Sequence, residues 1–238
     1  FICGYNLKLK QMKRVFRILG FCILIPLMAY WVYLAVFQIQ EYFVGNTYVS
    51  YLNRNKTVIG YAGSTTHYGD LDQMKIPFRR LNNNKIFRRN MVLQLSGADF
   101  VTPYAKKVWH HQLGIFTDDG KNKNVFISGG VRVNQYARFF DQMDIVIAPL
   151  LDNDFNRCKS ELKVLEAGAK WLPFIGSDMV TFSRTGANID LCSNGDEWVE
   201  SILELSLDKS LRESLGKELG EYVRDMYKID KENQARLS

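Results

Sequence analysis

Lys159, Ser160, Lys163 and Glu166 fall within one eight-residue stretch, directly after a polar loop carrying Asp152, Asn153, Asp154 and Asn156. An ammonium and a hydroxyl at the start of a helix suit a phosphate, because the helix end adds free N–H groups and a positive dipole. Lys163 lies one turn further on the same face as Lys159 and Ser160, so it can reach the phosphates or solvent. Gly63, Ser64 and His67 form a second polar group after another apolar run. A glycine there allows a ligand close to the backbone, and equally allows a sharp turn. His67 can donate to a phosphate or a sugar hydroxyl, or stand as a plain surface residue. Together these residues read as a site for a phosphate-bearing ligand.

The elements that would position them are legible. Asp144 to Ala148 is an apolar run closed by Pro149, Ser160 to Ala169 reads as a helix, and Leu172 to Ile175 is a second apolar run stopped by Gly176. A parallel βαβ unit puts the intervening loop at the carboxyl edge of a sheet, where open α/β folds bind ligands. Upstream, the pattern predicts strands at Thr57–Ala62, Met91–Leu95 and Val125–Ile127. It predicts helices at Asp70–Leu81, Pro103–His111 and Asn134–Met143, and later at Glu197–Leu205 and Ser210–Tyr227. Asn82–Lys85 reads as a polar turn, and Thr117–Asn124 as a loop with a turn at Asp119–Gly120. This alternation argues for an α/β fold with a doubly wound parallel sheet.

Three pieces of this body resemble the C-terminal, donor-binding domain of GT-B glycosyltransferases, in particular the family 4-like retaining enzymes. Val58–Ser64 with Thr66, His67, Asp70 and Leu71 resembles the first strand and loop of that domain. Asp144–Leu150 with Phe155, Asn156, Lys159, Ser160 and Lys163 to Glu166 resembles its donor loop and helix. Ala167 to Asp178 resembles the turn and strand that follow, and the likeness runs in order over residues 57 to 228. It implies a Rossmann-like domain binding a nucleoside-diphosphate sugar as substrate, with no cofactor and no metal. It maps Glu166 onto the family glutamate that holds the nucleotide ribose, a fitting use of a carboxylate before two vicinal hydroxyls. A solvated helix face is the plainer reading of the same residue.

The departures carry their own expectations. Many of these enzymes have a second glutamate eight positions earlier, where this chain has Cys158, so the acidic candidates become Asp152 and Asp154. An Arg and a Lys commonly follow the first strand to neutralise the diphosphate; here the residues are Ser64, Thr65, Thr66 and His67. That shifts leaving-group stabilisation toward Lys159 and the helix N-terminus. The implied reaction is glycosyl transfer to a hydroxyl on a glycan, lipid or protein acceptor, with retention. The alternative is a membrane-tethered binding domain without catalysis.

Composition bounds the rest. The formal net charge of +6 sits in residues 1–56, where seven basic side chains face Glu41 alone, and the remainder balances at 24 of each sign. Without a basic face on the body, nucleic acid is not an expected partner. Residues 18–37 are almost wholly apolar, follow five basic residues, and are long enough to span a bilayer. A buried interdomain helix is the other reading of this N-terminal hydrophobic segment. Positive-inside placement leaves a cytoplasmic-face or anchored location and a lumenal, type II one both open. Four scattered cysteines indicate a reducing compartment, and Cys158 beside Lys159 is a loop cysteine without a partner in sequence. The expected organisation is a leader, apolar helix and linker over 1–56 and a donor-binding domain over 57–238. A GT-B acceptor domain exceeds what 56 mostly apolar residues supply, and the chain opens at Phe1, so half an enzyme is expected.

Overall fold

In the computed structural model, residues 56–118 and 124–227 are described, within a unit spanning Arg54–Ser238. The leader, the apolar run 18–37 and the Asp119–Gly120 turn lie outside the described residues. Among the described residues, no helix is long and apolar enough to cross a membrane.

Six parallel strands form one sheet in the order β3-β2-β1-β4-β5-β6, where β1 is Thr57–Ala62, β2 Met91–Ala98, β3 Val125–Gly129, β4 Ile145–Ala148, β5 Phe174–Ser177 and β6 Asp190–Cys192. This is the doubly wound order, and its reversal point lies between β1 and β4. Those two strands pair through Ile59–Ile145 and Gly60–Val146. Their runs are apolar without alternation because both faces are covered. A backbone N–H from Val58 donates to Asp144 Oδ2 at 2.7 Å, which locks the entry of β4 to β1.

One face of the sheet packs Ile59, Leu93 and Leu95 against Leu71, Met74, Phe78 and Leu81, with Trp109, Phe116 and Trp198 completing the layer. These come from α1 (Tyr68–Asp72), the Met74 position that opens α2 (Lys75–Asn83), α2 itself, α4 (Pro103–Thr117) and α8 (Gly195–Leu207). The other face packs Val146, Ala148 and Phe174 against Phe139, Phe140, Val164, Ala167, Leu219 and Val223. These come from a 3₁₀ helix (Val133–Gln142), α6 (Leu162–Ala169) and α9 (Lys209–Met226).

Several elements depart from the sequence expectation. The helix expected over 70–81, with Asp70 as its cap, is two helices, and Asp70 lies inside the first. The supposed turn at Asn82–Lys85 leads into α3 (Lys85–Asn90), which Asn84 caps through Ile86 and Phe87 N–H groups. The helix expected at Ser160 opens two residues later at Leu162, after a short α5 (Asp154–Arg157) capped by Asn153. The Asn156 N–H donates to the Asn153 cap, and its side chain turns inward to Asp70 and Leu151 O.

Candidate functional site

The loops after β1 and β4 meet at the reversal point. Gly63 leaves β1 with its N–H bonded to Ser96 O at 3.0 Å, which ties the loop to β2. A Cβ on Gly63 would lie 2.2 Å from Tyr61 Oη, so the close approach this glycine permits is to Tyr61. Ser64 is exposed and pairs with Thr66 through their hydroxyls at 2.6 Å. A 3₁₀ turn (Thr65–His67) then brings His67 Nδ1 to 2.8 Å from Asp70 Oδ2.

Asp70 is buried, and its other oxygen reaches across to the β4 loop. Oδ1 accepts the Leu151 N–H at 2.9 Å and Asn156 Nδ2 at 2.7 Å. Burial alone would raise the Asp70 carboxyl. The hydrogen bonds from His67, Leu151 and Asn156, with the Lys159 charge, outweigh it and hold the group below the ordinary carboxylate range. Beneath it, burial drives the Tyr61 phenol well up, and the Asp70 charge adds to that. Asn156 also donates to Leu151 O at 2.8 Å and accepts from Thr181 through its carbonyl, so the loop is fixed from both sides.

Lys159 arrives on this loop. Its Nζ stands 3.8 Å from Asp70 Oδ2 and 3.4 Å from His67 Nδ1, and 4.9 Å above the centre of the Phe155 ring. Burial pulls its ammonium below the usual lysine range and Lys163 pushes the same way, against the attraction of Asp70. Arg184 pins the following turn by donating to Lys159 O and, at 3.1 Å, to Glu161 Oε2. Ser160 is exposed on that turn, and α6 opens without a side-chain cap. Its first N–H groups are therefore available to an anion.

Lys163 is part-exposed and engages Glu166 and Tyr136. It donates to Glu166 Oε2 at 2.9 Å and to the Tyr136 hydroxyl, which itself donates to Glu166 Oε2 at 3.2 Å. Burial would lower the Lys163 pKa, but Glu166 and Tyr136 together raise it. Burial raises the Tyr136 phenol as well. Glu166 is thus held through one oxygen, and Oε1 has no hydrogen-bond partner among the described residues.

The acidic candidates lie elsewhere on the loop. Asp152 accepts two bonds from Arg157, at 2.7 and 2.8 Å, and Asp154 one at 3.3 Å, all on the surface. The Arg157 hydrogen bonds hold Asp152 below the ordinary carboxylate range. The structure thus brings together His67 and Lys159, the latter just ahead of the α6 opening in the chain, sets Lys163 with Glu166, and keeps Asp152 and Asp154 in an ion-paired group of their own. Cys158 is exposed beside them. Among the described residues, no group of three or more His, Cys, Asp or Glu side chains could hold a metal ion.

Sequence reasoning gave no role to Tyr136 or Arg184, and took Asp70 only as a helix cap and Asn156 only as a loop residue, both as bearers of the family resemblance. The signal for Asp70 was its place three residues after His67, which puts the two side chains on one side of a helical turn. Tyr136 comes from a separate element thirty residues before Glu166, and no local pattern marks it.

No protein-family model and no curated relative matches this sequence. Solved structures do. The C-terminal domain of a group 1 family glycosyl transferase (LpcC) from Francisella tularensis superposes with a TM-score of 0.56 at 16% identity, over 73% of this chain and 87% of that one. HepE from Anabaena, solved with UDP and glucose, superposes with a TM-score of 0.60 at 16% identity, over 82% of this chain and 50% of that one. A UDP-forming trehalose-phosphate synthase from Burkholderia xenovorans gives 0.55 at 14% identity, over 72% and 41%. The chain therefore spans about half or less of these two longer proteins and most of the isolated domain. At these identities the likeness establishes the fold: that of the C-terminal domain of GT-B glycosyltransferases.

Proposed function

We propose that this chain supplies the donor-binding domain of a glycosyltransferase, which moves a sugar from a nucleoside-diphosphate sugar to a hydroxyl on a glycan, lipid or protein acceptor, with retention. The observation that carries this is the pairing of two sites on one sheet edge. Lys159 meets His67 just ahead of the uncapped start of α6, a set suited to a diphosphate, and within α6 Glu166 presents an unengaged carboxylate oxygen suited to ribose hydroxyls. The domain would orient the donor and stabilise the departing diphosphate by fixed donors and charge, without a metal. The solved neighbours that carry the same fold, one of them holding UDP and glucose, support the donor class. The apolar run 18–37 would tether the domain to a membrane, at its cytoplasmic face or in a lumenal, type II orientation.

One observation favours a second reading, a binding domain without catalysis. Asp152 and Asp154 are occupied by Arg157, and Cys158 stands where the family commonly has an acid.

Calorimetry and thermal shift of the full chain against UDP, GDP, ADP and their sugars test the donor reading. Stabilisation by one base, with affinity falling about tenfold in Glu166→Ala, is expected. A folded protein that none of these nucleotides stabilises would refute it. Turnover of the bound sugar, by hydrolysis or transfer, separates the enzyme from the binding domain.

A further inference from the structure

The balance of charge over residues 57–238 hides a local excess. Between Asp72 and Asp99 the chain has no acidic residue, yet it carries Lys75, Arg79, Arg80, Lys85, Arg88 and Arg89. The rest of that body therefore holds an excess of acid. All six basic side chains are exposed, on α2 and α3. On α2, Lys75, Ile76, Arg79 and Arg80 are outward, and Pro77, Phe78, Leu81 and Asn82 are buried. α3 repeats the arrangement, with Phe87 buried and Lys85, Ile86, Arg88 and Arg89 outward. The Phe78 and Phe87 rings meet edge to face at 6.3 Å, so both helices are rooted in one core. Arg80 is matched by Asp196 from α8, and the other five form no ion pair among the described residues.

Two isoleucines stand among these charges, Ile76 at 63% exposure and Ile86 at 54%. A merely solvated helix face has no use for them. Basic side chains around protruding aliphatic ones suit a bilayer with anionic headgroups: the charges meet the phosphates and the aliphatic tips enter the acyl boundary. A nucleic acid would meet the same charges but no ring to stack on, since both phenylalanines are buried. The position of the patch agrees. α3 leads directly into β2 at Met91, so the patch reaches the amino edge of the sheet, away from the loops after β1 and β4. Lys56 lies at that same edge: its ammonium donates to Asn124 Oδ1 at 3.3 Å, and Asn124 donates to Arg88 O. The first described residue thus adjoins the patch, and the basic leader with its apolar run precedes it in sequence. We propose that the outer side of α2 and α3 is a surface for anionic lipid, by which the folded domain itself lies on a bilayer with its carboxyl-edge site clear of the lipid. The proposal holds or fails without the donor reading and without the reading of residues 18–37.

The full chain is added to vesicles of phosphatidylcholine, alone or with about one third phosphatidylglycerol, and its lysines are acetylated and mapped by mass spectrometry. Phosphatidylglycerol should slow acetylation of Lys75 and Lys85 by about threefold or more. Lys209 and Lys217, exposed on α9, should not change. About 0.5 M salt should abolish the protection by screening the charges. Arg79→Gln/Arg88→Gln/Arg89→Gln keeps both reporting lysines; at about fivefold per charge it should weaken binding to these vesicles about a hundredfold. Ile76→Ser/Ile86→Ser should weaken it about tenfold and leave the salt dependence in place. The footprint reads the patch itself, whether or not the leader holds the chain on the vesicle. Uniform protection of all four lysines, equal protection by the two vesicle types, or a triple-arginine variant that behaves as wild type overturns the proposal. So does an oligonucleotide that protects Lys75 and Lys85 where the vesicles do not, which would assign the patch to nucleic acid. Should a variant fail to fold, the lipid and salt dependence of the wild-type footprint decides. A wild type that shows this footprint but binds no nucleotide would refute the donor reading alone.

Discussion

Gly97→Ala is the substitution whose cost the structure specifies most fully. Gly97 sits in β2 where the register against β3 shifts, between the pairs Ser96–Ser128 and Ala98–Gly129, with φ at 101°. A side chain there suffers twice. Its backbone conformation is one that L-residues avoid, at roughly 1–2 kcal/mol. Its Cβ would also lie 2.1 Å from Gly63 O and 3.1 Å from Gly63 C, which are backbone atoms and cannot swing aside. Relief requires β2 and the β1 loop to part, and they are joined there by the bond from Gly63 N–H to Ser96 O at 3.0 Å. Losing that bond and disturbing the packing adds roughly 2–3 kcal/mol. The sum is about 3–5 kcal/mol, or about 6–20 °C in Tm for a domain of this size.

Gly186→Ala isolates the first term, because Gly186 has φ at 69° and nothing within 4 Å of its Cβ position. It should cost about 1 kcal/mol. Urea denaturation of both variants, followed by tryptophan fluorescence, measures the difference. A Gly97→Ala loss within about 1 kcal/mol of Gly186→Ala would refute the steric part of the reasoning. Because Gly63 opens the loop that ends at His67, Gly97→Ala should weaken pyrophosphate binding even in protein that remains folded.

Three further outcomes follow from the same contacts. Tyr136→Phe removes the hydroxyl that bridges Lys163 and Glu166; it should cost about 1 kcal/mol of stability and lower nucleotide affinity several-fold while leaving pyrophosphate affinity unchanged, as calorimetry with both ligands would show. Asp70→Asn should destabilise by about 2 kcal/mol near neutral pH. The folded-state pKa of Asp70 is depressed, so this contribution is present above the unfolded carboxylate pKa of about 4 and is lost as pH falls through the lower folded value; urea curves at stepped pH should show wild type and variant converging only below about pH 4. Asn194→Ala removes the oxygen that caps α8 through the Asp196 and Glu197 N–H groups at 2.9 and 3.1 Å, and should cost about 1 kcal/mol in thermal denaturation with ligand binding untouched.

The strands at the centre of the sheet were legible because burial on both faces leaves an unbroken apolar run, as in Val58–Ala62 and Ile145–Ala148. At the edges the signal fades. β6 is three residues long and begins with Asp190, so no run announces it. β2 reads as ending at Leu95, yet it runs on through Ser96 to Ala98, and Ser96 is a buried polar residue whose hydroxyl accepts from Gln94 at 2.8 Å and from Ser128, while Gln94 also donates to Phe139 O. The break between α1 and α2 was hidden for a different reason. Leu71, Met74, Phe78 and Leu81 keep three- and four-residue spacing straight across it, and all are buried on one face. Periodicity registers the face and not the join. The same limit applies to the site: the Lys159 loop stood out because a strand, a loop and a helix follow in order, whereas the Asp70 and Tyr136 contacts depend on which elements the topology places side by side.

Taken pair by pair, the charges at the carboxyl edge cancel. Lys163 is matched by Glu166, Arg157 by Asp152 and Asp154, Arg184 by Glu161, and Lys159 shares the single charge of Asp70. A diphosphate arriving there meets no large net positive field, so Coulomb attraction from the side chains as a whole is not what would hold it. What is left is orientation: an ammonium kept close by a carboxylate it does not fully engage, an imidazole whose plane is fixed, and the uncapped N-terminus of α6. Fixed donors of this kind need no rearrangement when charge develops on a leaving group, which is the condition under which they stabilise a transition state more than a ground state. The ion pairs that neutralise the edge are then also what keeps those donors in place. Lys163 and Tyr136 fix Glu166, Arg184 fixes the turn after Lys159, and Asp70 joins the loops after β1 and β4.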